Sequence, residues 1–149
     1  MPMLKFRLNC IPTAQARARH GRTKSGLHVT FKSANQKANE CTLEALLAPH
    51  APKQPLSGPL VLEFVAALPV GKSDSKKLRE AKLAGFVAPE KKPDIDNLTK
   101  QIMDCMTRLQ FWTDDVQVVC LRCEKIYAEQ GYWDVALYEA VKRPEGVAA

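Results

Sequence analysis

The stretch "KKPDIDNLTKQIMDCM", residues 91–106, places Ile95, Leu98, Ile102 and Met106 three or four residues apart, and Leu109 continues the series. That is the period of a helix burying one stripe. Pro93 is the break before it, so the helix is expected to begin near Asp94 to Asp96. On such a helix Asp96, Lys100 and Asp104 share a second face at i, i+4 and i+8. The turn "QFWTDD" then leads into "VQVVCLRCEKIY" and "YWDVALYEA", which read as two antiparallel strands joined around "AEQG".

Towards the N-terminus the same reading continues. "MLKFRLNCI" alternates Leu4, Phe6, Leu8 and Cys10 with polar residues, as a half-buried strand does, and "LHVTFKS" is expected to return as its hairpin partner. "SANQKANECTLEALLA" reads as an amphipathic helix capped by Ser33, with Leu43, Leu46 and Leu47 inward. After the proline-rich "PHAPKQPLSGP", the apolar "LVLEFVAAL" suits a central strand, and "KSDSKKLREAK" a short basic helix ending near Gly85. The fold class expected is α+β, a small mixed β-sheet with packed helices, in one domain over residues 1–149.

With 149 residues and 46% apolar content, the chain is long enough to close a core without staples. No apolar run is long enough to span a bilayer, and the first residues lack a signal-peptide core, so a cytoplasmic protein is expected. Five cysteines, an odd number, suit a reducing compartment. Cys120 and Cys123 have the spacing of half a zinc site, but no second such pair exists, and they read as small strand residues.

The net charge of +6 is unevenly placed. No acid precedes Glu40, whereas "RARHGRTKSG" carries Arg17, Arg19, Arg22 and Lys24 between glycines, as a flexible phosphate-gripping loop would. Lys76, Lys77 and Arg79 add a second basic run. Either run alone would pass for a solvated face. Together they indicate a polyanionic partner.

Against this background five of the seven aspartates lie between residues 94 and 115. Each has an ordinary explanation: Asp94 or Asp96 as a helix cap, Asp96 paired with Lys100, Asp104 in a structural pair on the helix, Asp114 and Asp115 making a turn. Four acids in two tight pairs nevertheless repel unless a cation or a proton offsets them. A hard divalent cation such as Mg²⁺ takes oxygen ligands and is commonly shared with substrate phosphates.

"KPDIDNLTKQIMDCM" followed by "FWTDDVQV" resembles the signature of the RusA family of Holliday junction resolvases, small dimeric Mg²⁺-dependent endonucleases often carried by prophages. The resemblance is dense over residues 91 to 126 and looser upstream. It implies that Asp94, Asp96 and Asp115 are catalytic, metal-binding acids, with Asp114 beside them and Lys100 as the functional lysine. It implies Mg²⁺ as cofactor, with Mn²⁺ as a substitute, a four-way DNA junction as substrate, and a homodimer; neither membrane nor small-molecule cofactor is expected. A different metal-dependent nuclease acting on branched DNA or RNA, and a junction-binding protein without catalysis, are the alternatives.

Whether one chain makes one site depends on reach. A helix over residues 97–109 carries the chain about 20 Å from Asp96, at ~1.5 Å per residue. The six residues from Leu109 to Asp115 return at most about 20 Å. The distance can just be closed, and a single-chain site is the expectation.

Overall fold

The computed structural model describes residues 1–16 and 18–141. Its elements run β1 (Leu4–Leu8), β2 (Arg19–Arg22), β3 (His28–Phe31), α1 (Ala34–Leu47), β4 (Leu60–Pro69), α2 (Lys76–Leu83), α3 (Ile95–Arg108), β5 (Val118–Ala128) and β6 (Tyr132–Glu139). The α+β expectation holds: β1, β6, β4 and β5 form a four-stranded sheet in that order, and β2 and β3 form a separate hairpin.

Two pairings differ from the sequence reading. The segment "LHVTFKS" pairs not with β1 but with β2, so the basic stretch expected to be a flexible loop is itself part of a hairpin. The partner of β1 is β6, antiparallel, with Phe6 opposite Val135. Strands β5 and β6 do not pair with each other either, because β4 lies between them, parallel to β5 and antiparallel to β6. Gly131, in the link that crosses the end of β4, has no room for a side chain: a Cβ there would stand 2.8 Å from the Ile11 Cα. The apolar run of β4 matches its central place.

Helices α1 and α3 pack on each other, α1 touches β1 and α3 touches β5. Leu98, Ile102, Cys105 and Met106 of α3 meet Leu43 and Leu47 of α1 and Leu62, Phe64 and Leu137 of the sheet in one core. Ile95, the first residue of the expected stripe, remains 39% exposed because it lies at the open end of the helix. Ser33 caps α1 as expected, accepting from the Gln36 amide. At the other end of α3, Gln110 adopts φ 58° and the Phe111 amide donates back to Met106 O at 3.0 Å. This left-handed closure reverses the chain and buries Phe111 and Trp112 completely. It also brings the second acidic pair back along the helix. No helix among the described residues is long and apolar enough to cross a membrane.

Candidate active site

Asp94 is the N-cap residue of α3, with extended backbone, yet its side chain makes no capping hydrogen bond. The ordinary explanation for an aspartate at this position therefore does not account for its carboxylate. Asp96 follows in the first turn, and Asp94, Asp96 and Lys100 are all exposed. Among the described residues none of the three is part of an ion pair. Anionic side chains at this end of the helix lie in the favourable field of the helix dipole.

The second pair divides its labour. Asp114 caps the short 3-10 turn Asp115–Gln117, accepting from the Val116 amide at 3.1 Å in a reciprocal box with Gln117. Gln117 also donates to the carbonyls of Leu56 and Gly58, which fastens the turn to the preceding loop. Asp115 makes no such bond. Its pKa is raised, first by burial, then by the close carboxylate of Asp114 and the charges of Asp114 and Asp104. Asp104 in turn accepts from Gln15 Nε2 at 2.9 Å.

The acids thus lie along α3 in two places. Asp94 and Asp96 stand at its start, Asp104 lies about 12 Å further along the axis at ~1.5 Å per residue, and the charge of Asp104 is felt at Asp115. Among the described residues no three His, Cys, Asp or Glu side chains are grouped so as to hold a metal ion. Asp94, Asp96 and Asp115 are therefore not gathered into such a group within the chain as it stands.

Two adjoining clefts flank the first turns of α3. One, about 540 Å³, is lined by Ala14, Gln15, Lys92, Pro93, Asp94 and Asn97. The other, about 140 Å³, is lined by Gln15, Ala18, Lys32, Asn97 and Lys100 among others. The arm that leads into the basic hairpin forms their outer wall. It is tied down by glutamines: the Gln15 amide donates to Asn97 O, the Ala16 amide to Gln36 Oε1, and Gln36 Nε2 to Gln101 Oε1. Gln36 and Gln101 are buried. Nothing in their sequence spacing singled them out, since their role depends on a contact 65 residues long.

Of the basic residues expected to meet phosphate, Arg19, Arg22 and Lys24 lie exposed on the hairpin and its turn, and Lys76 and Lys77 lie exposed on α2. Arg79 pairs with Glu129 at 3.3 Å on the surface. Arg17 lies outside the described residues. Lys32 is committed to Glu40, at 2.8 Å, in a group that also includes Gln36 and Arg108. Burial works against the Glu40 carboxylate, but Lys32, Gln36 and Arg108 outweigh it and hold its pKa below the usual 4.5. Its stabilising share is therefore present above about pH 4.5 and lost as pH falls through the lowered value. Glu40→Gln is expected to cost about 1–3 kcal/mol at neutral pH, with the difference from the parent closing in acid. Urea unfolding at pH 7 and pH 3 checks both.

The family model described as endodeoxyribonuclease RusA matches residues 9–138. The uncharacterized protein YqaN of Bacillus subtilis (strain 168) is 31% identical over 141 residues, covering 93% of this chain and 98% of that protein. The crossover junction endodeoxyribonuclease rusA of Lactococcus phage r1t is 25% identical over 135 residues, covering 91% and 95%.

Proposed function

The chain belongs to the RusA family of endodeoxyribonucleases, and from that premise we propose that it resolves four-way DNA junctions by Mg²⁺-dependent hydrolysis, as a homodimer making paired, symmetric nicks. Mn²⁺ would serve in place of Mg²⁺. The observation that carries this reading is the Asp94 carboxylate, which sits at a helix N-cap without capping and faces a cleft shared with Lys92 and Asn97.

The residues suit a hard cation. Their donors are carboxylate oxygens, which Mg²⁺ prefers, and the pKa of Asp115 is raised by burial first and then by neighbouring Asp114 and Asp104, charges that a bound cation would offset. Asp94, Asp96 and Asp115 would be the ligands, with Asp114 adding negative charge while it caps its turn. A bound Mg²⁺ would activate the attacking water and stabilise charge developing on the scissile phosphate. Lys100, one helical turn beyond Asp96, is exposed and in no ion pair among the described residues, and would be placed to hold a phosphate oxygen as its charge grows. Arg19, Arg22 and Lys24 on the hairpin and Lys76 and Lys77 on α2 would grip the phosphodiester backbone, fixing its register rather than reading bases.

Mg–O distances of about 2.0–2.1 Å require the ligands to converge, and among the described residues of one chain no three acids are grouped to do so. We therefore place Asp94 and Asp96 of one copy with Asp115 of the other in the proposed centre. Val116 and Val119, exposed at 76% and 63% beside Asp115, supply apolar surface for such a contact. A twofold arrangement makes two such centres, one for each nick.

Purified protein incubated with synthetic four-way, flap and single-stranded DNA, in Mg²⁺ and in EDTA, tests the reading. Symmetric cleavage of the four-way junction that EDTA abolishes is expected. Equal cutting of flaps or single strands would favour a broader nuclease, and tight binding with no cutting in any metal would leave a binding protein.

A further inference from the structure

The geometry points to Lys125 as a positioning residue for the metal-binding motif, an inference that rests on the nuclease reading above. Lys125 lies on β5 opposite Ala66, which is fully buried, and so on the face of the sheet that carries Phe64 and Cys123 towards the helices. An ammonium on an inward strand face requires acceptors. It has two: Lys125 Nζ donates to Lys91 O at 3.1 Å and to Pro93 O at 3.0 Å. The side chain belongs to no ion pair among the described residues.

These carbonyls border the peptide that delivers Asp94. Pro93 has no N–H, so the segment just before α3 cannot be held through that amide. Within α3, Asp94 and Asp96 are fixed to each other by the first turn, where the Leu98 amide donates to Asp94 O at 3.0 Å. The two bonds from Lys125 tie the approach to the helix directly to the sheet. One charged head spans two carbonyls that are two residues apart. A contact that orients ligands without touching the metal typically changes metal affinity or activity by about 10- to 100-fold.

Lys125→Met keeps the length of the stem and removes the donors. Its Mn²⁺ affinity, measured directly from the electron paramagnetic resonance of free Mn²⁺, is expected to fall by about 10- to 100-fold. Half-maximal junction cleavage is expected to move to higher Mg²⁺ by a similar factor. Thermal midpoint and junction affinity in EDTA are expected to match the parent, and Lys125→Arg, which can still donate to both carbonyls, to recover most of the loss. Unchanged Mn²⁺ affinity in Lys125→Met overturns the inference. So does junction affinity in EDTA that falls with cleavage, since that would make Lys125 a phosphate contact. If Lys125→Met melts below the assay temperature, Lys125→Gln, too short to reach both carbonyls, must show the same weakening of Mn²⁺ binding or the inference falls. A parent protein that neither binds Mn²⁺ nor cuts the junction would overturn the nuclease reading itself, and this inference with it. A parent that does both, matched by Lys125→Met, overturns the inference alone.

Discussion

Asp96→Asn is expected to lower junction cleavage by at least about 10²–10³-fold, the scale of losing one group that stabilises developing charge, while junction binding stays intact or tightens. The substitution removes a proposed ligand and one negative charge from the neighbourhood of a phosphate. It removes little else. The side chain is exposed at the start of α3, makes no ion pair among the described residues, and contributes to the fold through the helix dipole, about 0.3–1 kcal/mol. Cleavage rates, gel-shift affinity in EDTA and the thermal midpoint, measured on one preparation, separate these effects. Binding that disappears in step with cleavage would show that Asp96 supports the fold or the DNA surface instead.

Asp115→Asn should also lose cleavage, and yet be the more stable protein in the absence of divalent cation. Burial and the charges of Asp114 and Asp104 raise the pKa of Asp115 in the folded state above its ordinary 3.8. A raised carboxylate pKa means that ionisation opposes folding, so the stability present below about pH 3.8 is lost as pH rises through the folded value. Asn escapes that loss. The variant should therefore match the parent in acid and exceed it at neutral pH, and added Mg²⁺ should stabilise the parent while leaving the variant nearly unmoved. Thermal melts at pH 3 and pH 7, with Mg²⁺ and with EDTA, decide it. A variant less stable than the parent at neutral pH in EDTA would mean that Asp115 is a structural residue.

How much of this was legible in the chain depended on range. The α3 helix, the Ser33 cap and the central β4 strand were readable because each declares itself within about fifteen residues: a 3.6-residue stripe, a hydroxyl before a helix, an unbroken apolar run. Strand partners were not. Alternation in β1 and in "LHVTFKS" says that each has a buried or exposed side, but not which edge it meets, and β5 and β6 are kept apart by a strand some fifty residues earlier in the chain. The acids were legible as chemistry and not as geometry. Chain reach favoured a single-chain cluster, whereas no three acids are grouped to hold a metal among the described residues. Lys125 gave no signal, because a lysine among strand residues reads as a solvated face until its acceptors are seen. The buried Gln36 and Gln101 were silent for the same reason, their bond joining α1 to α3.

In the proposed dimer one cleavage centre takes Asp94 and Asp96 from one chain and Asp115 from another. Asp96→Asn chains and Asp115→Asn chains, each inactive alone, can be unfolded together and refolded into mixed dimers carrying different tags. In a mixed dimer of shared sites, one centre receives both asparagines and the other receives neither. Nicking of one strand of the four-way junction should therefore return, in the tagged heterodimer fraction and only with Mg²⁺ or Mn²⁺ present. If the purified heterodimer binds the junction but remains as inactive as either parent, each chain builds its own site, and the shared centre is wrong.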